Sequence, residues 1–173
     1  GGRVALDQHA VGALRGEGRF EGFEHGAGDL GQALAGAHDV KIAVGDKPFA
    51  VIAGDNLYSA NDLKQMTVDT GHMKIGGYRT PQWQGMGILK QKPDGTLDRI
   101  IEKPAEFVGD HINASLYQFT PAIFPIIETL PPSPRGEFEI TDAINIVAAR
   151  EPFDVVELKD RWLDLTAPTD IPK

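Results

Sequence analysis

An α/β fold is predicted from three observations. Short apolar runs of strand type alternate along the chain with stretches whose apolar residues recur every three to four positions. One of these runs, PFAVIA at residues 48–53, is apolar almost throughout, as a strand covered by helices on both faces needs to be. That run passes straight into Gly54, Asp55 and Asn56. The strand itself does not require a carboxylate there, but open α/β sheets place their ligands at the carboxyl ends of their strands.

The elements follow in order. Residues 1–31 are Gly-rich, and VALDQHAVGAL within them has the apolar spacing of a short helix. LGQALAGAHDVKIA, residues 30–43, reads as a helix weakened by Gly36, and GDK ends it before the PFAVIA strand. SANDLKQM is a further helix, with Ser59 or Asn61 as N-cap. MGILKQKPDGTLDRIIEKP is a β-hairpin, because Pro93 presets one dihedral of its turn and Gly95 accepts positive φ. INASLYQF is a strand, and PAIFPIIETL a helix whose proline is tolerated in the first turn. PPSPRG is a rigid loop. EITDAINIVAAR is an amphipathic helix with Thr141 or Asp142 near its start, and FDVVEL and DRWLDL close the chain as strands. No internal repeat or low-complexity tract interrupts this order, and one domain over residues 1–173 is expected.

Composition narrows the function. With 173 residues, 41% of them hydrophobic, the chain is large enough for one proper core. The net charge of −8, spread along the chain, argues against a nucleic-acid or anionic-membrane partner. The absence of cysteine excludes disulfides, thiolate zinc sites and a cysteine nucleophile. The five histidines lack ligand spacing. No run is long enough to span a membrane and no signal-peptide pattern opens the chain, so a cytoplasmic location is expected.

Four groups of residues can carry chemistry. Asp55 and Asp164 each follow an apolar strand, and two carboxylates from different strand ends can hold a hard cation such as Mg²⁺. Each can equally be a turn residue. Glu102 and Lys103, at the end of LDRII, can serve a sugar hydroxyl and a phosphate, with side chains on opposite faces if the strand persists, or can be a solvated strand end. Glu137 and Glu139 are either functional or charge the start of the helix that follows. GEGRFEG has the glycines of a phosphate cradle but no strong strand before it, and no GxGxxG or GxxxxGK[ST] loop is present.

Taken together, VGDKPFAVIAGDN, GILKQKPDGTLDRIIEKP, INASLYQFTPAIF, SPRGEFEITDAI and WLDLTAPTDI resemble, in order, the signatures of the sugar-1-phosphate nucleotidyltransferases, which make nucleotide-sugars such as UDP-glucose and dTDP-glucose. DLGQALAGA is similar to a segment of bacterial UTP–glucose-1-phosphate uridylyltransferases. The resemblance covers about residues 28–171. It implies a three-layer α/β/α Rossmann-like mixed sheet, with residues 1–60 a remnant of the nucleotide-binding half and 61–173 the sugar-binding half. It implies that Asp55 and Asp164 hold Mg²⁺ as metal ligands, that Lys103 binds the sugar phosphate, and that Glu102, Asn113 and the Gly87 backbone contact the sugar. Gly31 would lie close to the nucleobase. The implied substrates are a nucleoside triphosphate, UTP or dTTP, and a sugar 1-phosphate, with glucose 1-phosphate the expected sugar.

The sequence also departs from the family. Nothing matches its opening GxGTRxxPxT loop, and RVALDQHAV resembles a point well inside the nucleotide-binding half, so an N-terminally truncated fold is expected. Glu24 or His25 falls where a glutamine is usual, Ala114 where a glycine precedes SLY, and Met86 where tyrosine is frequent. LTAP follows Asp164 without the usual glycine, and the stretch from Met66 to Gly87 is shorter than in the family, at the cost of strand or helix length. Three accounts fit: a piece of a complete enzyme, favoured by the Gly-rich start and the gaps; a diverged relative that binds a sugar nucleotide without turnover; or a loop supplied by a partner chain. A missing first strand would leave a central sheet edge unpaired, and a homo-oligomer is therefore expected. The rival function is a non-catalytic sugar-nucleotide-binding or oligomerisation module.

Overall fold

The computed structural model describes the backbone of residues 8–15 and 19–26, and residues 41–133 and 138–165 in full. Strands β1 (Gln8–Arg15) and β2 (Arg19–Gly26) pair antiparallel as a hairpin of their own. This corrects the helix expected over VALDQHAVGAL. Gly12 disfavours helix, and the backbone register sets it opposite Gly22. Of the helix expected at 30–43, residues 41–43 are described and are helical; Gly31 and most of that segment lie outside the described residues.

A mixed six-stranded sheet follows: β3 (Phe49–Ile52), β5 (Met73–Arg79), β6 (Ile88–Gln91), β7 (Leu97–Ile101), β8 (His111–Phe119) and β9 (Phe153–Glu157). Its order is β7-β6-β8-β5-β9, with β3 also paired to β8, and only the β5–β9 pair is parallel. The hairpin, INASLYQF and FDVVEL strands therefore stand where the sequence puts them. β5 is an addition: Gly76 and Gly77 break its apolar run, so MKIGGYR does not read as a strand, and it fills the stretch that looked too short. A Cβ at Gly77 would overlap the His111 imidazole and Leu89, so β5 needs glycine there for close approach to β8.

Side-chain alternation along β8 feeds two cores. Tyr117 and Phe119 join Phe49, Ile75 and Phe153 on one face, where α3 (Ile140–Ala148) packs Ile144 and Val147. Ala114 and Leu116 join Leu158 on the other, where α1 (Ala60–Met66) packs Met66. Helices on both faces give the three layers. Ser59 caps α1 by accepting the Asp62 N–H. PAIFPIIETL folds as a 3-10 turn (Pro121–Ile123) running into the single-turn α2 (Phe124–Ile127), and part of PPSPRG lies outside the described residues. Two short strands, β4 (Asn56–Leu57) and β10 (Leu163–Asp164), pair outside the main sheet. Among the described residues no helix is long and apolar enough to cross a membrane.

Candidate active site

The site is built around an irregularity in β8. Ile75 of β5 pairs with Tyr117, but Gly77 pairs with Asn113, so β8 carries two extra residues between these points. Ser115, within them, is held at φ 54°. Non-glycine residues persist in that region only when their surroundings hold them there. Here the Asn113 Oδ1 accepts the Ser115 N–H at 3.0 Å, while Asn113 Nδ2 donates to the Tyr117 hydroxyl at 2.8 Å. Burial, the largest influence on Tyr117, pushes its phenol up to about 12, so it stays neutral and accepts that bond.

On one side of the bulge stands the Glu102 group. The Gly87 carbonyl accepts the Asn113 N–H at 2.8 Å, and the Met86 carbonyl accepts the Lys103 N–H at 3.2 Å. Gly87 is buried, and a Cβ built on it would stand 2.9 Å from Glu102 Oε2. The missing side chain is thus the space that the Glu102 carboxylate occupies. β7 ends at Ile101 and Lys103 takes φ 42°, so the strand does not persist through Glu102 and Lys103, and the alternation expected for the two side chains is replaced by a left-handed turn. Lys103 is exposed, a position that suits a cation meeting an anionic ligand from solvent.

On the other side stands the aspartate pair. β4 follows Asp55 directly, and the register sets Asn56 opposite Asp164. The Asp55 carbonyl accepts the Leu165 N–H at 2.8 Å, fixing the two segments together. Asn56 Nδ2 donates to Asp55 Oδ1 at 2.9 Å, and Asn56 Oδ1 is buried without a hydrogen bond among the described residues. The backbones of the Asp55 and Asp164 segments lie side by side, and two carboxylates from them would form a hard donor set. It suits Mg²⁺, which takes one or two carboxylates and completes its shell with water and phosphate. No cluster of three or more potential ligands occurs among the described residues, so phosphate and water would supply the remainder.

Tyr58 ties the halves together. Its hydroxyl lies 2.7 Å from the Ala114 carbonyl and 3.0 Å from that of Ser115, so the segment carrying Asp55 is anchored on the β8 bulge. The Ala53 N–H donates to the Ser115 carbonyl at 3.2 Å, a second tie. Burial, then Tyr117, raise the Tyr58 phenol far above its usual value, and Asp55 and Asp164 add to the shift. The structure therefore brings Asp55 to Asp164, and Glu102 to Gly87 and Asn113, with Lys103 beside Glu102. Tyr58, Ser115 and Tyr117 escaped the sequence reading. Asn-Ala-Ser carries the local signal, an Asn able to bond the backbone two residues on.

The chain matches the Nucleotidyl transferase family over residues 14–172. It is 33% identical over 170 residues to the low-salt glycan biosynthesis nucleotidyltransferase Agl11 of Haloferax volcanii, covering 91% of this chain and 46% of the relative. It is 28% identical to the UTP–glucose-1-phosphate uridylyltransferase AglF of the same organism, covering 72% and 54%. A crystal structure described as a glucose-1-phosphate thymidylyltransferase of Bacillus anthracis, in complex with a sucrose, superposes with a TM-score of 0.68 at 27% identity, over 84% of this chain and 59% of that one. UDP-glucose pyrophosphorylase complexed with UDP-glucose, 22% identical with a TM-score of 0.68, shares the fold. The chain spans about half the length of these curated relatives. By sequence match and by fold, it belongs to the nucleotidyl transferase family.

Proposed function

We propose that this chain carries a Mg²⁺-dependent site for nucleotidyl transfer from UTP or dTTP to a sugar 1-phosphate, with glucose 1-phosphate as the sugar. The observation that carries the reading is the β8 bulge, to which both the aspartate pair and the Glu102 group are tied. In the reaction a sugar-phosphate oxygen attacks the α-phosphorus of the triphosphate, the bond from that phosphorus to the β-phosphate oxygen breaks, and pyrophosphate leaves. Little covalent work falls to the protein; in-line positioning and charge neutralisation are the tasks. Glu102 accepts hydrogen bonds from the sugar hydroxyls, and Gly87 keeps its carboxylate in place. Asn113 has a second amide proton to offer the sugar. Lys103 meets the sugar phosphate as a mobile point charge. Asp55 and Asp164 hold the Mg²⁺, which when bound neutralises phosphate charge. The names of Agl11 and AglF support the reaction class.

Calorimetric titration with UDP-glucose and dTDP-glucose, each with and without Mg²⁺, tests the reading. Micromolar binding that strengthens with Mg²⁺ and weakens in Asp164→Asn and Lys103→Ala is expected. Unchanged binding in both variants would overturn the site. Binding without turnover of UTP or dTTP and glucose 1-phosphate would favour the non-catalytic binding module instead.

A further inference from the structure

The segments bearing Asp55 and Asp164 meet at a second point away from β4 and β10, and we propose that Asp62 is the positioning residue that sets how the two carboxylates face each other. The inference rests on the metal-pair reading above. β4 and β10 pair over only two residues each, too short a ladder to hold its own geometry. Asp62, 4% exposed in α1, supplies the missing restraint. Its Oδ1 accepts the Lys159 N–H at 3.1 Å and its Oδ2 the Asp160 N–H at 3.2 Å. Its own N–H donates to Ser59 Oγ at 3.0 Å, and that hydroxyl lies 2.7 Å from Asp160 Oδ2.

Ser59 lies four residues after Asp55, and Asp160 four before Asp164. The two arms therefore form a closed ring, joined by β4–β10 at one end and by Asp62 at the other. Asp62 Oδ2 also accepts from the Ser59 hydroxyl at 3.0 Å, but both backbone N–H groups that its carboxylate accepts belong to the neighbouring segment. Two successive backbone N–H groups need two acceptors. A carboxamide has one acceptor and one donor, so Asp62→Asn sets an N–H against an N–H at one of the two bonds. The Asp62 carboxylate accepts from the Lys159 and Asp160 backbone and from Ser59, so its effect on the pair runs through the backbone, and an N–H of the Asp164 segment is left unpaired when it is altered.

The test uses the whole chain with Mn²⁺ as probe, reading free Mn²⁺ by electron paramagnetic resonance, beside calorimetry of UDP-glucose without metal. Asp62→Asn is expected to weaken Mn²⁺ binding about twofold to thirtyfold while leaving metal-free UDP-glucose binding unchanged. Ser59→Ala removes the hydroxyl and its contacts to Asp62 Oδ2 and Asp160 Oδ2 but keeps both backbone N–H bonds to the Asp62 carboxylate, and is expected to give a smaller loss in the same direction. It decides the matter if Asp62→Asn does not fold. Mn²⁺ affinity unchanged in the variant, or equal losses for both ligands, would overturn the proposal and leave the metal pair standing. Failure of the wild-type chain to bind Mn²⁺ would remove the metal pair itself, and the proposal with it.

Discussion

A methyl group at Gly87 is the smallest change that tests the sugar side. Its carbon would stand 2.9 Å from Glu102 Oε2, closer than such contacts are found, and a tight 3.1 Å from Ile100 Cγ2. Gly87→Ala should displace the Glu102 carboxylate at a cost on the order of 1–3 kcal/mol. Calorimetry should then show sugar-nucleotide binding weakened about tenfold or more, with Mn²⁺ binding at the aspartate pair retained. His111, 5% exposed, makes a different prediction. Burial first, then the Arg79 guanidinium, hold its imidazole below the ordinary value of 6.5, against the opposing pull of Glu157 and Asp110. The unfolded chain therefore takes up the proton more readily than the folded one. Stability is fully present above pH 6.5 and is lost as pH falls from there through the lower folded value. The urea midpoint should drop between about pH 7.5 and about pH 5.5, and His111→Gln should flatten that drop.

Among the elements, β7 is the sheet edge nearest the sugar group; Leu97 and Ile100 share a core with Ile144 and Val147 of α3, and one α3 side chain also bonds its backbone. Asn145 Oδ1 accepts the Ile100 N–H at 2.6 Å and its Nδ2 donates to the Ile100 carbonyl at 3.0 Å, as a neighbouring strand would. Asn145→Asp puts an oxygen against that carbonyl and should lower stability by about 1–3 kcal/mol, read as a lower urea midpoint. The sequence made β3, the β6–β7 hairpin and α1 legible, because each pairs a hydrophobic period with a stop signal: Asp55 after PFAVIA, Pro93-Asp94-Gly95, and Ser59 as cap; α3 was legible from its amphipathic period alone. β5 and the β1–β2 hairpin were not legible. In β5, Gly76 and Gly77 serve close approach to β8, which local pattern does not record. The same division holds in the site. Asp55, Asp164 and Glu102 announce themselves as charges at strand ends, whereas Tyr58, Ser115, Tyr117 and Asp62 matter through hydrogen bonds to residues distant in sequence, such as Tyr58 to Ala114.

For the molecule as a whole, β8 is the shared support. It pairs with β3, β5 and β6, feeds both cores, and its bulge anchors the aspartate pair through Tyr58 and the Glu102 group through Asn113. Ligands that lean on one support are thermodynamically linked. If ordering the bulge is part of the cost of filling either half, the first ligand bears that cost for both. On the proposed function, the factor by which Mg²⁺ tightens UDP-glucose would then equal the factor by which UDP-glucose tightens Mg²⁺, and couplings of this kind amount to about 5–150-fold. Tyr58→Phe, which cuts the anchor without touching either ligand group, should shrink both factors together, turning two cooperative sites into two independent ones.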